Sequence, residues 1–238
     1  DALPIYVKNI PKSMVKINGK PIIEYQFDIL KKNGINDIYV ITGPFSKEFN
    51  LKNVKYVKDV NYSKHDILGS LMEAKKFLKN DVLVLYSDII FDSKIIQQIL
   101  KSKEDISIAI DMDWEKMYEK RSDHPKTEAE NVKIKNKNKI IEIKKNIPNV
   151  KKDVGEFLGI IKFTSTGAKS FTKQYNKIIK EDKKKFHEAP SISKGYLTDM
   201  IQELIDSKIN IEPIFISGKW CEIDTMQDLK KAEKIFKN

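Results

Sequence analysis

Residues 80–88 read "NDVLVLYSD", and the fold turns on this stretch. Asn80-Asp81 is a turn-forming pair, residues 82–86 are an unbroken apolar run, and Ser87-Asp88 closes it. A short continuous apolar run between turn residues is what a strand covered on both faces requires. Moving outward, "NDIYVITG" (36–43) and "DISIAIDMD" (105–113) have the same character, and helical patterns lie between the three. One helix is expected over 21–33, opened by Pro21 and stopped at Asn33-Gly34. Others are expected over 67–78 and 93–102. This alternation predicts an α/β fold, a Rossmann-like doubly wound and mostly parallel sheet.

The middle of the chain breaks the rhythm. "NVKIKNKNKIIEIKKNI" (131–147) reads as a hairpin about a Lys-Asn-Lys-Asn turn, and "GEFLGIIKFT" (155–164) as a further strand. Helices at about 165–181 and 196–207 precede the strands 211–216 and 220–224, and a last helix runs from about 225 to 236. Thr225 and Asp228 have capping-box spacing for that helix. With no internal repeat or linker, the economical reading is one domain over 1–238 with an insertion at about 111–153.

The 238 residues carry a net charge of +10. The lysines are scattered, and Arg121 is the only arginine. Arginine is the preferred planar fork for phosphates and bases, so a dedicated nucleic-acid binder is not expected. One cysteine, Cys221, excludes an internal disulfide, and His65, His124 and His187 show no zinc spacing. No apolar run has the length of a membrane span and there is no signal peptide, so a cytoplasmic protein is expected.

In open α/β sheets, ligands bind beyond the carboxyl ends of strands. Asp88, Asp111, Asp113 and Asp224 stand at such ends. Any one of them is more often a cap or turn former, whereas two converging would suit a hard cation. Spacing alone leaves open whether Asp88 and Asp224 converge.

Several segments resemble the nucleotidyltransferases that make sugar nucleotides and CDP-alcohols. They are "PKSMVKINGKPIIEYQFDILKKNGINDIYVITG" (11–43), "SKHDILGSLMEA" (63–74), "LYSDIIFD" (85–92) and "EIDTMQDLKKAEKIF" (222–236), in the family's order. "DMDWEKMYEKRSDHPKTEAENV" (111–132) and "GEFLGIIKF" (155–163) look like the cytidylyltransferase branch, which includes phosphocholine and 2-aminoethylphosphonate cytidylyltransferases. The family opens with a strand and a Gly-rich phosphate loop. This sequence starts at "DALPIYVKNIPKS", just past where that loop belongs, so an upstream strand and loop are expected to be missing from it.

The resemblance implies transfer of CMP from CTP to a small phosphonate or phospho-alcohol or amine, 2-aminoethylphosphonate-like, with release of pyrophosphate. It implies Mg²⁺ held by Asp88 and Asp224. Lys12 would neutralise the α-phosphate and the acceptor anion; its plainer reading is a surface lysine. Gly69 and Ser70 would let a pyrimidine approach or would merely pack a helix on the sheet. Lys145 would be a second phosphate contact, with Lys144 and Lys151 close by in sequence. Arg121 could pair with the phosphonate, while Asp111, Asp113 or Glu156 could hold a cationic amine. Trp114 and Tyr118, four apart, would share a helix face and wall the acceptor or simply pack. His124, before Pro125, reads as a turn residue. A homodimer is compatible. Two rivals stand beside this reading: a sugar-1-phosphate nucleotidyltransferase and a non-catalytic nucleotide-binding module.

Overall fold

The computed structural model describes residues 10–136, 138–148, 152–181 and 185–237. The opening residues 1–9, Lys137 of the expected turn and Lys151 lie outside the described residues. A small hairpin comes first, β1 (Lys16–Ile17) and β2 (Lys20–Pro21), turning at Asn18 (φ 49°) and Gly19 (φ 83°). Asn-Gly is the pair that a type I′ turn demands, because both central residues need positive φ. Then follow α1 (Ile22–Lys32), β3 (Tyr39–Thr42), β4 (Lys55–Lys58), α2 (Ile67–Glu73), β5 (Val82–Leu85), β6 (Ile89–Phe91), α3 (Ser93–Leu100), β7 (Ile106–Asp111) and α4 (Glu115–Tyr118). The second half adds β8 (Glu130–Lys135), β9 (Lys139–Lys145), β10 (Val154–Phe163), α5 (Ser165–Lys180), α6 (Leu197–Asp206), β11 (Glu212–Phe215), β12 (Trp220–Glu222) and α7 (Met226–Ile235).

The largest sheet runs β11-β7-β10-β8-β9, with β5 also on β10. Its central strands β7 and β10 are buried on both faces. Ile108, Ile110, Phe157 and Ile161 pack with Phe171, Met200 and Leu204, while Ala109, Leu158 and Ile160 face Ile95, Ile96 and Ile99 of α3. Every residue of β7 is buried, as its unbroken apolar reading requires. Helices on both faces make this the Rossmann-like α/β class expected. The ladders are mixed rather than mostly parallel. β11 joins β7 and β4 joins β3 in parallel, but β10 runs antiparallel to β5, β7 and β8. The reason lies in routing: β10 arrives from the β8–β9 hairpin, without the crossover helix that returns a strand in parallel.

β10 is the organising strand. β7 lies along one edge. The other edge is shared end to end, Val154–Glu156 pairing with β8 and Ile160–Phe163 with β5. Between these halves sits Gly159 (φ 70°), where a Cβ would meet the Tyr86 ring at 2.3 Å. Only glycine fits both that φ and that ring. The register against β7 shifts at the same place, between Phe157 and Ile161. The ends of β5 and β8 therefore part around a notch. Among the described residues no helix is long and apolar enough to cross a membrane.

Candidate functional site

Asp88 follows the end of β5 by a short turn, and Asp224 follows β12. Sequence spacing does not place them together, but β6 and β12 do. These strands pair antiparallel with Ile89 opposite Glu222, and the Ile223 amide donates to the Asp88 carbonyl at 2.9 Å. The two carboxylates emerge side by side. Lys12 reaches them from a 3₁₀ turn, Lys12–Met14, entered through Pro11, which holds φ at −61°. Its Nζ lies 2.9 Å from Asp88 Oδ2 and forms a second ion pair with Asp224 Oδ1.

The electrostatics favour ionised groups here. Burial alone would lower the Lys12 pKa, but Asp88 and then Asp224 overcome it and raise it. Burial pushes Asp224 upward, and Lys12 outweighs that, holding it below the usual carboxylate range. Among the described residues, Asp88 Oδ1 is buried and has no hydrogen-bond partner. An orphaned carboxylate oxygen beside a second carboxylate is a donor set that fits a hard divalent cation. His124 Nδ1 stands 3.1 Å from Asp224 Oδ2, and His124, Glu222 and Asp224 present ligand atoms within 4.8 Å of one another.

Behind this centre lies Arg121, whose side chain is 6% exposed. Its Nε donates to Asp228 Oδ1 at 2.6 Å and its Nη2 to Asp228 Oδ2 at 3.0 Å. Asp228 also closes the capping box of α7, accepting from the Thr225 amide at 2.9 Å and hydroxyl at 2.8 Å, and it takes the Asp224 amide at 3.1 Å. The guanidinium fork expected to grip a phosphonate is thus spent on positioning Asp224. The physical reason is burial: a buried aspartate needs that bidentate partner.

Other expected acceptor residues divide. Tyr118 donates to Glu156 Oε1 at 2.6 Å, both residues being buried, and Arg121 lies 4.9 Å over the Tyr118 ring. Trp114 packs edge-on to Tyr118 and donates to the Val154 carbonyl at 3.2 Å, which is packing of the insertion. Asp111 is held by Trp220 Nε1 at 2.8 Å and by the Asp113 amide at 2.8 Å. Asp113 points to solvent and pairs with Lys116. Ser70 donates to the buried Asp59 at 2.7 Å, and His65 Nε2 donates to the same oxygen at 2.8 Å. A Cβ on Gly69 would strike the His65 ring at 2.4 Å, so this glycine serves local packing. Asp59 and Ser70 line an apolar slot of about 490 Å³ between α1, β3 and β5. Lys145 ends β9, pairs with Glu128 at 3.1 Å and lies 5.1 Å over the Tyr196 ring.

Glu222, His124 and Asp228 belong to the centre without having been singled out for it in the sequence. Glu222 was within reach: it precedes Asp224 by two, so in a strand both face the same way. No sequence signal marked His124 or the partner of Asp228. Burial, with Asp224, Asp88 and Glu156 nearby, pushes Glu222 well above the usual carboxylate range. Burial likewise carries Glu156 up to about 8, against the pull of Tyr118 and Arg121. Glu156 is therefore protonated when folded and ionised when unfolded above its ordinary pKa. The folded state binds the extra proton, and stability falls as pH rises from about 4.5 to about 8. Glu156→Gln is expected to raise the melting temperature by roughly 5 °C at pH 8 and by little at pH 5, read from thermal melts at both values.

Residues 7–224 match the family model described as the MobA-like NTP transferase domain. The chain is 30% identical over 239 residues to a CTP:phosphoglutamine cytidylyltransferase of Campylobacter jejuni, covering 94% of this chain and 91% of that protein. It is 32% identical over 99 residues to a choline-phosphate cytidylyltransferase of Streptococcus pneumoniae, 40% of this chain and 43% of that one. Among solved structures, a CTP:phosphocholine cytidylyltransferase from Streptococcus pneumoniae has a TM-score of 0.70 at 22% identity, covering 99% of this chain and 94% of that chain. An inositol-1-phosphate CTP transferase from T. maritima has a TM-score of 0.71 at 17% identity, covering 98% and 90%. At those identities the two structures speak for the fold alone.

Proposed function

The chain belongs to the MobA-like NTP transferase family, a family of nucleotidyltransferases, and from that premise we propose that it is a CTP-dependent cytidylyltransferase. It would transfer CMP to a small acceptor bearing a phosphate or phosphonate, 2-aminoethylphosphonate-like. We take the chain as one nucleotidyltransferase domain whose insertion, about 111–153, serves the acceptor. The observation that carries this reading is the convergence of Lys12, Asp88 and Asp224, with one buried Asp88 oxygen left unpartnered among the described residues.

An acceptor oxygen attacks the α-phosphorus of CTP. The new P–O bond forms as the α–β bridging bond breaks, and the electron pair leaves with pyrophosphate. The acceptor oxygen is already ionised, so no strong base is required. Lys12 supplies a positive charge where two anions must approach, and Asp88 and Asp224 hold its ammonium in place. Asp88 and Asp224 would also hold Mg²⁺, which when bound neutralises phosphate charge. Asp228, fixed by Arg121, holds the Asp224 backbone so that the pair keeps its spacing.

The test is pyrophosphate release from the full-length protein with Mg²⁺, each of the common nucleoside triphosphates, and an acceptor panel. The panel holds 2-aminoethylphosphonate, phosphocholine, phosphoglutamine and sugar 1-phosphates. CTP with a non-sugar acceptor is expected to exceed every other combination by at least about tenfold. Turnover confined to sugar 1-phosphates, or to another nucleotide, overturns the reading.

A further inference from the structure

We propose that a lysine-walled groove between α5 and residues 75–79 is a docking surface for an acidic segment of a partner protein. It is a surface apart from the carboxylate pair, and its role stands beside cytidylyl transfer.

Lysines that are scattered in the sequence gather here. Lys169, Lys173 and Lys177 lie four apart along α5, and Lys75, Lys76 and Lys79 form the facing wall, around a volume of about 1100 Å³. α5 turns Phe171 and Ile178 to the core, so its lysine row faces outward. The two walls are tied together. Lys75 Nζ donates to Asn176 Oδ1, Ser165 Oγ donates to the Lys79 carbonyl at 2.9 Å, and the Ser165 amide donates to Asp81 Oδ1 at 3.0 Å. The groove is therefore formed before any partner arrives. Among the described residues, Lys79, Lys169 and Lys173 have no ion pair, and Lys177 reaches Glu181 only at 3.9 Å. Like charges four apart on a helix are destabilising, and a concave array of one sign focuses its field outward. An anionic occupant relieves the first and exploits the second. The groove also lies at the end of the sheet away from the carboxylate pair. Residues 75–79 precede β5, and α5 follows β10, whose Phe163 pairs with Val82, whereas Asp88 follows the far end of β5.

Three anionic occupants can be weighed. A nucleic acid is best gripped by arginine forks or by stacking of its bases on open rings. The single arginine is committed to Asp228, and Phe77, between Lys76 and Leu78, is stacked on Tyr39 at 3.8 Å and covered by Lys76 at 4.9 Å. An anionic bilayer is flat, so it meets the rims of a groove and leaves the floor unfilled. A polypeptide fits both the charge and the shape. Carboxylates four apart on a helix recur at about 6 Å, the same rise that separates successive lysines of α5. Its apolar side chains have Leu78 and the lysine stems to pack on. From Lys169 to Lys180 the row is about 16 Å long, the reach of some three turns of such a helix.

The experiment reads fluorescence anisotropy of a labelled peptide of roughly 20 residues in Glu-Ala-Leu-Ala repeats. A labelled single-stranded oligonucleotide and co-sedimentation with phosphatidylglycerol vesicles run beside it. The wild-type protein is expected to bind the peptide at least about fivefold more tightly than either, and at least about tenfold more weakly at ~0.5 M salt than at low salt. The triple change Lys169→Glu, Lys173→Glu and Lys177→Glu is expected to weaken peptide binding at least about thirtyfold. Lys32→Glu, Lys52→Glu and Lys58→Glu together make the same change in net charge on exposed residues elsewhere and should stay within about threefold of wild type. The neutral triple Lys169→Gln, Lys173→Gln and Lys177→Gln, which keeps good helix formers, should move binding the same way by less, and it carries the test if the charge-reversed protein does not fold. Pyrophosphate release by the groove variants should stay within about twofold of wild type. Equal losses in the groove and control triples, no peptide binding at low salt, or tighter binding of the oligonucleotide or the vesicles overturns the proposal. A fall in pyrophosphate release that parallels the binding loss overturns it as well, since the groove would then belong to the active site.

Discussion

Asp88→Ala is expected to lower kcat/KM for pyrophosphate release by about 10³-fold or more, equivalent to about 4 kcal/mol of transition-state stabilisation. Under the proposed reading Asp88 has two roles: its Oδ2 anchors Lys12, and its buried Oδ1, without a partner among the described residues, would take a cation. Alanine removes both. The fold should not suffer in proportion. Lys12 keeps its ion pair with Asp224, and loss of Asp88 removes one of the carboxylates that push Glu222 above its ordinary range. The melting temperature is expected to stay within about 2 °C of wild type or to rise, as when a strained site is relaxed. Pyrophosphate release and a thermal melt on one preparation decide the matter. Turnover within about tenfold of wild type would remove Asp88 from the reaction.

Arg121→Ala is expected to be the most damaging single change to stability. It strips a 6%-exposed guanidinium from a 2%-exposed Asp228 carboxylate. Breaking a buried pair by deleting one partner costs about 3–5 kcal/mol, because the remaining charge stays buried. For a chain of this length that is a fall of roughly 10 °C. Arg121→Lys should recover only part, since an ammonium cannot make the two parallel bonds. Arg121→Ala combined with Asp228→Asn should be more stable than Arg121→Ala alone, the unpaired charge being gone. Melts of the three variants read this directly. A loss under about 2 °C, with KM for the acceptor raised instead, would return Arg121 to the phosphonate-binding role that its sequence context suggested.

Much of this was legible in the residues. The runs ending at Asp88 and at Asp111, and the capping box at Thr225 and Asp228, each became the element their pattern dictates. Periodicity and turn chemistry report burial and backbone shape, and both are local. Partner choice is not local. Nothing in "RSDHP" says that Arg121 meets a carboxylate 107 residues away, and nothing in "GEFLGIIKF" fixes the direction of β10. Ser70 shows the same limit. Its place near a helix start suited a base contact, yet Asp59 claims its hydroxyl from the preceding loop. The convergence of Asp88 and Asp224 needed the β6 and β12 pairing, two strands of three residues each, short enough to carry little pattern.

The shared edge of β10 has a consequence for how a substitution spreads. The hairpin β8–β9 joins this strand along Val154–Glu156, whereas β5, which delivers Asp88, joins along Ile160–Phe163, beyond Gly159. Leu85 sits opposite Ile160 and the Tyr86 amide donates to the Gly159 carbonyl at 2.9 Å, so the turn that carries Asp88 leaves β5 at that glycine, in the notch between β5 and β8. Gly159, locked by Tyr86, is therefore where the hairpin and the carboxylate site meet, and a change that shifts one is expected to be felt by the other.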